Sequence, residues 1–151
     1  MAVTDTIDWM AALRQFLVSD SGVANEVGDA VYVRKVPRGT NVPGKAVVLV
    51  QSGGGVPVRL PVITANVQVR CYGDTSREAR EVYRVVRSAL HFARRYQIEP
   101  GEGVIDGSHW LVSARETSGP SDENEPETGW FFVVSIFGCT FVSFPVGDDE
   151  E

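Results

Sequence analysis

Between Ile63 and Ala93 the spacing of apolar residues switches once, and that switch constrains the fold more than any other feature of the chain. Ile63, Ala65, Val67, Val69 and Cys71 alternate with Thr64, Asn66, Gln68 and Arg70, the period-two pattern of a strand with one apolar face. Thr75 and Glu78 then form an S/T-x-x-E capping box. Behind it Ala79, Val82, Tyr83, Val86, Leu90 and Ala93 recur at helical spacing, with Arg77, Arg80, Arg84, Arg87 and Arg94 largely off that stripe. Arg94 and Arg95 suit the negative end of the helix dipole, and Pro100-Gly101 ends the helix. A half-apolar strand feeding a one-sided helix predicts a layer of helix packed on sheet.

The other elements are read relative to this pair. Thr4, Asp5 and Thr6 offer cap oxygens for a first helix carrying Trp9, Leu13, Phe16 and Leu17, with Met10 at the edge of the stripe. Ser19–Gly22 stops it, and Val23–Val27 is a short turn ending at Gly28. Ala30–Val36 reads as a strand and Pro37–Lys45, with two prolines and two glycines, as a loop. Ala46–Gln51 is a buried strand interrupted by the glycines of Ser52–Gly55. Val58–Tyr72 is extended, with Pro61 limiting its first part to an edge or bulge. Trp110–Ala114 is a strand and Thr117–Thr128 (TSGPSDENEPET) an acidic loop. Trp130–Phe144 is the last strand, with a bulge expected near Gly138.

The resulting order is helix–strand–strand–strand–helix–strand–strand, without the regular alternation of a doubly wound sheet. The predicted class is α+β: a mainly antiparallel sheet with two amphipathic helices packed on one face. At 151 residues the chain has room for one domain, expected over residues 1–144, with an acidic tail at 145–151. No apolar run reaches the roughly 18 residues of a membrane span, and Asp5 and Asp8 break any leader-like start, so a soluble, unexported chain is expected.

Catalytic constellations are scarce. His91 and His109 stand apart, and no H-x-x-x-H, H-E-x-x-H or C-x-x-C pair gives metal-ligand spacing. Gly53-Gly54-Gly55 lacks the Lys-Ser/Thr of a phosphate-binding loop, and there is no G-x-S-x-G elbow. Cys71 and Cys139 lie in apolar strand-like runs, where free cysteine behaves as a small buried hydrophobe. Asp122, Glu123, Glu125 and Glu127 lack the pattern and glycine of a calcium loop. The sequence therefore predicts no catalytic, cofactor or metal site.

Binding features remain. The formal charge is −6, so the whole molecule is not a nucleic-acid binder by net charge. Residues 51–100 nevertheless hold eight arginines against four acids, and residues 101–151 hold one arginine against eleven acids. Such polarity suits contact between copies: Arg77, Arg80, Arg84 and Arg87 on one subunit facing Asp122, Glu123, Glu125 and Glu127 on the next would make a heterologous contact able to close a ring. Arg34, Lys35, Arg38 and Lys45 flank one Pro/Gly loop, and a ring would repeat them as a basic collar facing DNA phosphates. The plain alternative for each patch is a solvated face. A small enzyme or ligand-binding domain, with a pocket under Gly53–Gly55, is the reading from a different class.

Several stretches together resemble a known family. They are V-A-N-E-V-G-D-A-V-Y at Val23–Tyr32, V-P-x-G-T at Val36–Thr40, V-x-V-R-C-Y-G-D-T-S-R-E-A-R at Val67–Arg80 and V-R-S-A-L-H at Val86–His91. In this order, followed by a strand, an acidic segment and an aromatic strand, they resemble the tail-completion, or tail-terminator, proteins of long-tailed bacteriophages, from about residue 10 to 143. The motifs are core and turn residues rather than a site. The resemblance implies a structural virion protein, assembled in the host cytoplasm, that forms a hexameric ring on the head-proximal end of the tail tube. Its partners would be other copies, the tube protein and the head–tail connector or stopper, with DNA passing through the lumen without sequence specificity and no membrane involved. A head–tail stopper or other neck ring is the neighbouring alternative, expected to be richer in strands.

Overall fold

The computed structural model describes residues 9–34, 44–55, 62–91, 96–97, 109–126 and 128–143. Among them the switch from strand to helix falls where the sequence places it. Strand Val62–Gly73 passes through a two-residue turn into helix Ser76–His91. Glu78 donates its backbone N–H to Thr75 Oγ1 at 3.2 Å, and the Glu78 carboxylate accepts the N–H of Asp74 at 3.0 Å. The box thus closes one residue earlier than its simplest form, on Asp74 rather than on the cap residue. Gly73 makes the tight entry possible: a Cβ there would stand 2.5 Å from the Ala79 nitrogen and 2.7 Å from Glu78 Cβ.

In chain order the elements are α1 (Trp9–Ser19), α2 (Ser21–Val27), β1 (Val31–Val33), β2 (Ala46–Gly55), β3 (Val62–Gly73), α3 (Ser76–His91), β4 (Tyr96–Gln97), β5 (His109–Asn124) and β6 (Phe131–Ser143). The strands form one sheet in the order β1-β2-β3-β6-β5-β4. Every pairing is antiparallel except β1 with β2. The fold is α+β with a mainly antiparallel sheet.

One face of the sheet carries the main core. Val47, Leu49, Val67, Val69, Cys71, Val133, Phe137, Cys139 and Phe141 are buried in one cluster with Leu13, Phe16 and Leu17 of α1, Val23 and Val27 of α2, and Val82, Val86 and Leu90 of α3. A second, small cluster of Ala46, Val48 and Tyr72 lies on the opposite pleat, flanked by Tyr32, Val50, Trp130 and Phe132.

The structure corrects several expectations. Among the described residues three helices form rather than two, because Asp20 restarts the chain: its carboxylate accepts from the Val23 N–H at 3.1 Å and caps α2, which ends at Gly28 with φ 64°. β1 is only three residues long and stops at Arg34, whose φ is 81°. Its pairing with β2 is parallel, so the two strands are not joined as a hairpin. Ser52–Gly55 belongs to β2, where a bulge between Gln51 and Gly54 absorbs the irregularity. β4 had no legible signal, being two residues long.

The largest correction concerns Thr117–Thr128, expected as a loop. β5 continues to Asn124, and a tight turn remains, closed by Glu125 and Gly129. β5 spans 16 residues against 13 in β6, and the difference is absorbed in three register shifts, all adding residues to β5. The bulge expected near Gly138 is therefore on the facing strand: β6 pairs with β3 in unbroken register, Asn66 opposite Gly138. β6 offers a long template in unbroken register with β3, and β5 accommodates Gly119-Pro120 because its outer side has no strand beyond β4 among the described residues.

Candidate interaction surfaces

Each bulge moves β5 by one residue relative to the pleat, and the result is chemical. Leu111, Ala114, Glu116 and Asp122 stand opposite Phe141, Cys139, Phe137 and Val133, so all four share the face covered by helices. A strict alternation could not put odd and even positions together. α3 supplies the complement, because Arg80, Tyr83 and Arg87 recur at helical spacing along one edge of its apolar stripe.

Glu116 is the centre of this contact. Its carboxylate accepts from Tyr83 Oη, from Arg87 Nε at 3.1 Å and from Ser135 Oγ at 2.6 Å. Ser135 is buried and also lies 2.9 Å from the Ser118 carbonyl, beside the bulge, so its single proton serves one of two acceptors at a time. Burial works to raise the Glu116 pKa, but the hydrogen bonds from Ser135, Tyr83 and Arg87 outweigh it and hold the carboxyl below its ordinary value. Burial, followed by the bond to Glu116, pushes the Tyr83 phenol well up. Further along, Arg80 Nη1 pairs with Asp122 Oδ2 at 2.9 Å.

The sequence-predicted contact residues therefore separate. Arg80, expected to meet acids on a neighbouring copy, meets Asp122 of its own chain. Arg87 is engaged with Glu116, and Arg77 lies 3.7 Å from Glu81 one helical turn on. Arg84 is exposed and has no ion-pair partner among the described residues. Glu123 is exposed and accepts from Ser121 Oγ at 2.9 Å. Glu125 accepts from Tyr72 Oη at 3.2 Å and Thr128 Oγ1 at 2.8 Å. Of the basic loop group, Arg34 is exposed at the end of β1, its N–H bonded to the Leu49 carbonyl at 2.8 Å. Lys45 points to the helices instead, 3.1 Å from Glu26 and 3.7 Å from Glu81, and the bond to Glu26 raises its pKa. Lys35, Arg38 and Glu127 lie outside the described residues, as do the 145–151 tail and the first cap, Thr4–Thr6.

The opposite pleat holds residues the sequence reading did not single out. The Tyr72 ring stacks on Phe132 at 5.1 Å, and Trp130 meets Tyr72 edge-on at 6.2 Å. The Arg70 guanidinium sits 5.4 Å from the centre of the Phe132 ring, with Nε donating to Gln68 Oε1 at 2.7 Å. The alternation of β3 had marked this face as the polar one. Tyr72 and the aromatic run of β6 were the available signal, and register across three strands was needed to unite them. No group of His, Cys, Asp and Glu that could hold a metal occurs among the described residues, and no helix there is long and apolar enough to cross a membrane.

The fold is a helix-backed, mainly antiparallel sheet of the α+β class. The chain matches the family model of tail completion protein gp17 over residues 11–134, and it belongs to that family. It is a structural protein of a phage-like virion tail, from a family of virion components rather than enzymes. Among solved structures it is similar to a chain of the virion of a native gene transfer agent particle, at 19% identity and a TM-score of 0.59, covering 88% of this chain and 93% of that one. That likeness is one of fold. No curated protein sequence matches the chain significantly.

Proposed function

We propose that the protein is a tail terminator: a ring, six-fold as the resemblance implies, seated on the head-proximal end of the tail tube. There it stops tube growth and presents a surface to the head–tail connector, after assembly in the host cytoplasm. The family match over residues 11–134 carries this reading. The three helices support it over a head–tail stopper, for which a more strand-dominated order is expected. Within such a ring Arg34, Lys35 and Arg38 are the candidates for facing DNA, whereas the charge of Lys45 is balanced inside its own chain by Glu26 and Glu81.

The test uses tail tubes assembled without the protein. Added protein is expected to cap one end and halt elongation, with annular density at that end by electron microscopy. Light scattering on the released cap should give about six times the mass of one chain. Tubes that lengthen unchecked, with only monomer bound or free, would overturn the reading.

A further inference from the structure

The pleat away from the helices is divided along its length. Toward one end it carries Tyr32, Val50, Phe132, Val134 and Ile136, all half-buried and brought side by side by the register of four strands. Toward the other end the same pleat carries Thr64, Asn66 and Thr140. No described helix packs on either half, so coverage by the described helices does not account for the difference. In the apolar half stands Arg70, opposite Val48 and Val134. It is half-buried and spread over Phe132, and it has no carboxylate within ion-pair distance among the described residues. An aromatic and aliphatic patch with an arginine at its middle has the composition of an interface core.

The chain also carries the complement. Glu123 stands opposite Phe132 on β5, exposed and without a cation partner among the described residues. It lies two strands from Arg70, roughly 10 Å at ordinary strand spacing, and the two form no ion pair within one copy. The stretch of β5 beyond β4 has no strand on its outer side among the described residues.

We infer that the apolar half of this sheet face is the seat of a second copy of the chain, which lays its β5 edge there and brings Glu123 to Arg70. The contact is heterologous: each copy offers its face to one neighbour and its edge to the other, which closes a ring if the rotation permits. The inference rests on the ring reading and names the surface that builds it. It also replaces the helix arginines, three of which are engaged inside the subunit.

The experiment is a charge swap read by light scattering and by imaging on tail tubes. Arg70→Glu alone and Glu123→Arg alone are each expected to stay folded by circular dichroism and monomeric where the wild type assembles. An equimolar mixture of the two single variants is expected to restore the ring, because copies that alternate around it bring opposite charges together at every contact. The double variant should restore it as well. Should Arg70→Glu fold poorly, Glu123→Arg, at an exposed position, decides by itself together with Arg70→Gln, which is expected to raise the concentration needed for assembly about tenfold. Single variants that assemble like the wild type would overturn the inference and leave the ring reading standing. Loss without rescue in the mixture would overturn the pairing. A variant ring that forms but no longer caps tubes would assign the face to the tube protein instead. A wild type that is monomeric both free and on tubes would end the ring reading and this inference with it.

Discussion

At the scale of single residues, Glu116 is the side chain whose surroundings are least ordinary. Three donors from α3 and β6 converge on one largely covered carboxylate. Glu116→Gln keeps the shape but turns an amide toward donors, and should cost about 1–3 kcal/mol at neutral pH in urea denaturation. The pH dependence has a definite sign. The folded-state pKa is depressed, so the carboxylate's contribution is present above the unfolded value of about 4.3 and is lost as pH falls through the folded value. The stability gap between wild type and Glu116→Gln should be flat above about pH 5 and close below about pH 4; a gap unchanged at pH 3 would assign it to packing instead. Gly73 is constrained by space rather than by backbone angle. Gly73→Ala drives a methyl into the first turn of α3 and should lower stability by about 1–3 kcal/mol in the same assay.

At the scale of elements, the ends of the helices are decided locally. Thr75→Ala removes the acceptor for the Glu78 N–H and should cost about 1 kcal/mol by urea denaturation. Little loss would mean that packing of the apolar stripe alone holds the first turn. The capping box and the stripe of α3 were legible in the sequence because both depend on neighbours within one or two turns. β5 was not legible, since Gly119-Pro120 and the acids around it carry every composition cue of a loop. A long partner strand in β6, held in unbroken register by β3, overrides those cues, and the bulges make the pairing possible. The same reason hides Glu116: its place facing α3 depends on how many bulges precede it, and no local spacing records that number.

At the scale of the whole molecule, both cysteines lie in the main core, on β3 and β6, fully covered. Burial pushes the Cys139 thiol up to about 12 and that of Cys71 higher still. Neither should react with a disulfide-exchange reagent except through unfolding, with labelling rates that follow the global transition in urea. Faster labelling of either would reveal separate opening of the sheet. The class of fold, the strand and capped helix around Gly73, the apolar face that meets the helices and the family were all present in the sequence, because periodicity and caps are short-range and the family is written in core and turn residues. Only tertiary structure decided which charges stay within the chain. Arg80 and Arg87 looked free because a sequence shows a helix face but not the strand laid against it, and Arg70 looked like one polar residue among several. Pairing between strands distant in sequence set both outcomes, since register chooses the neighbours of every side chain on a sheet.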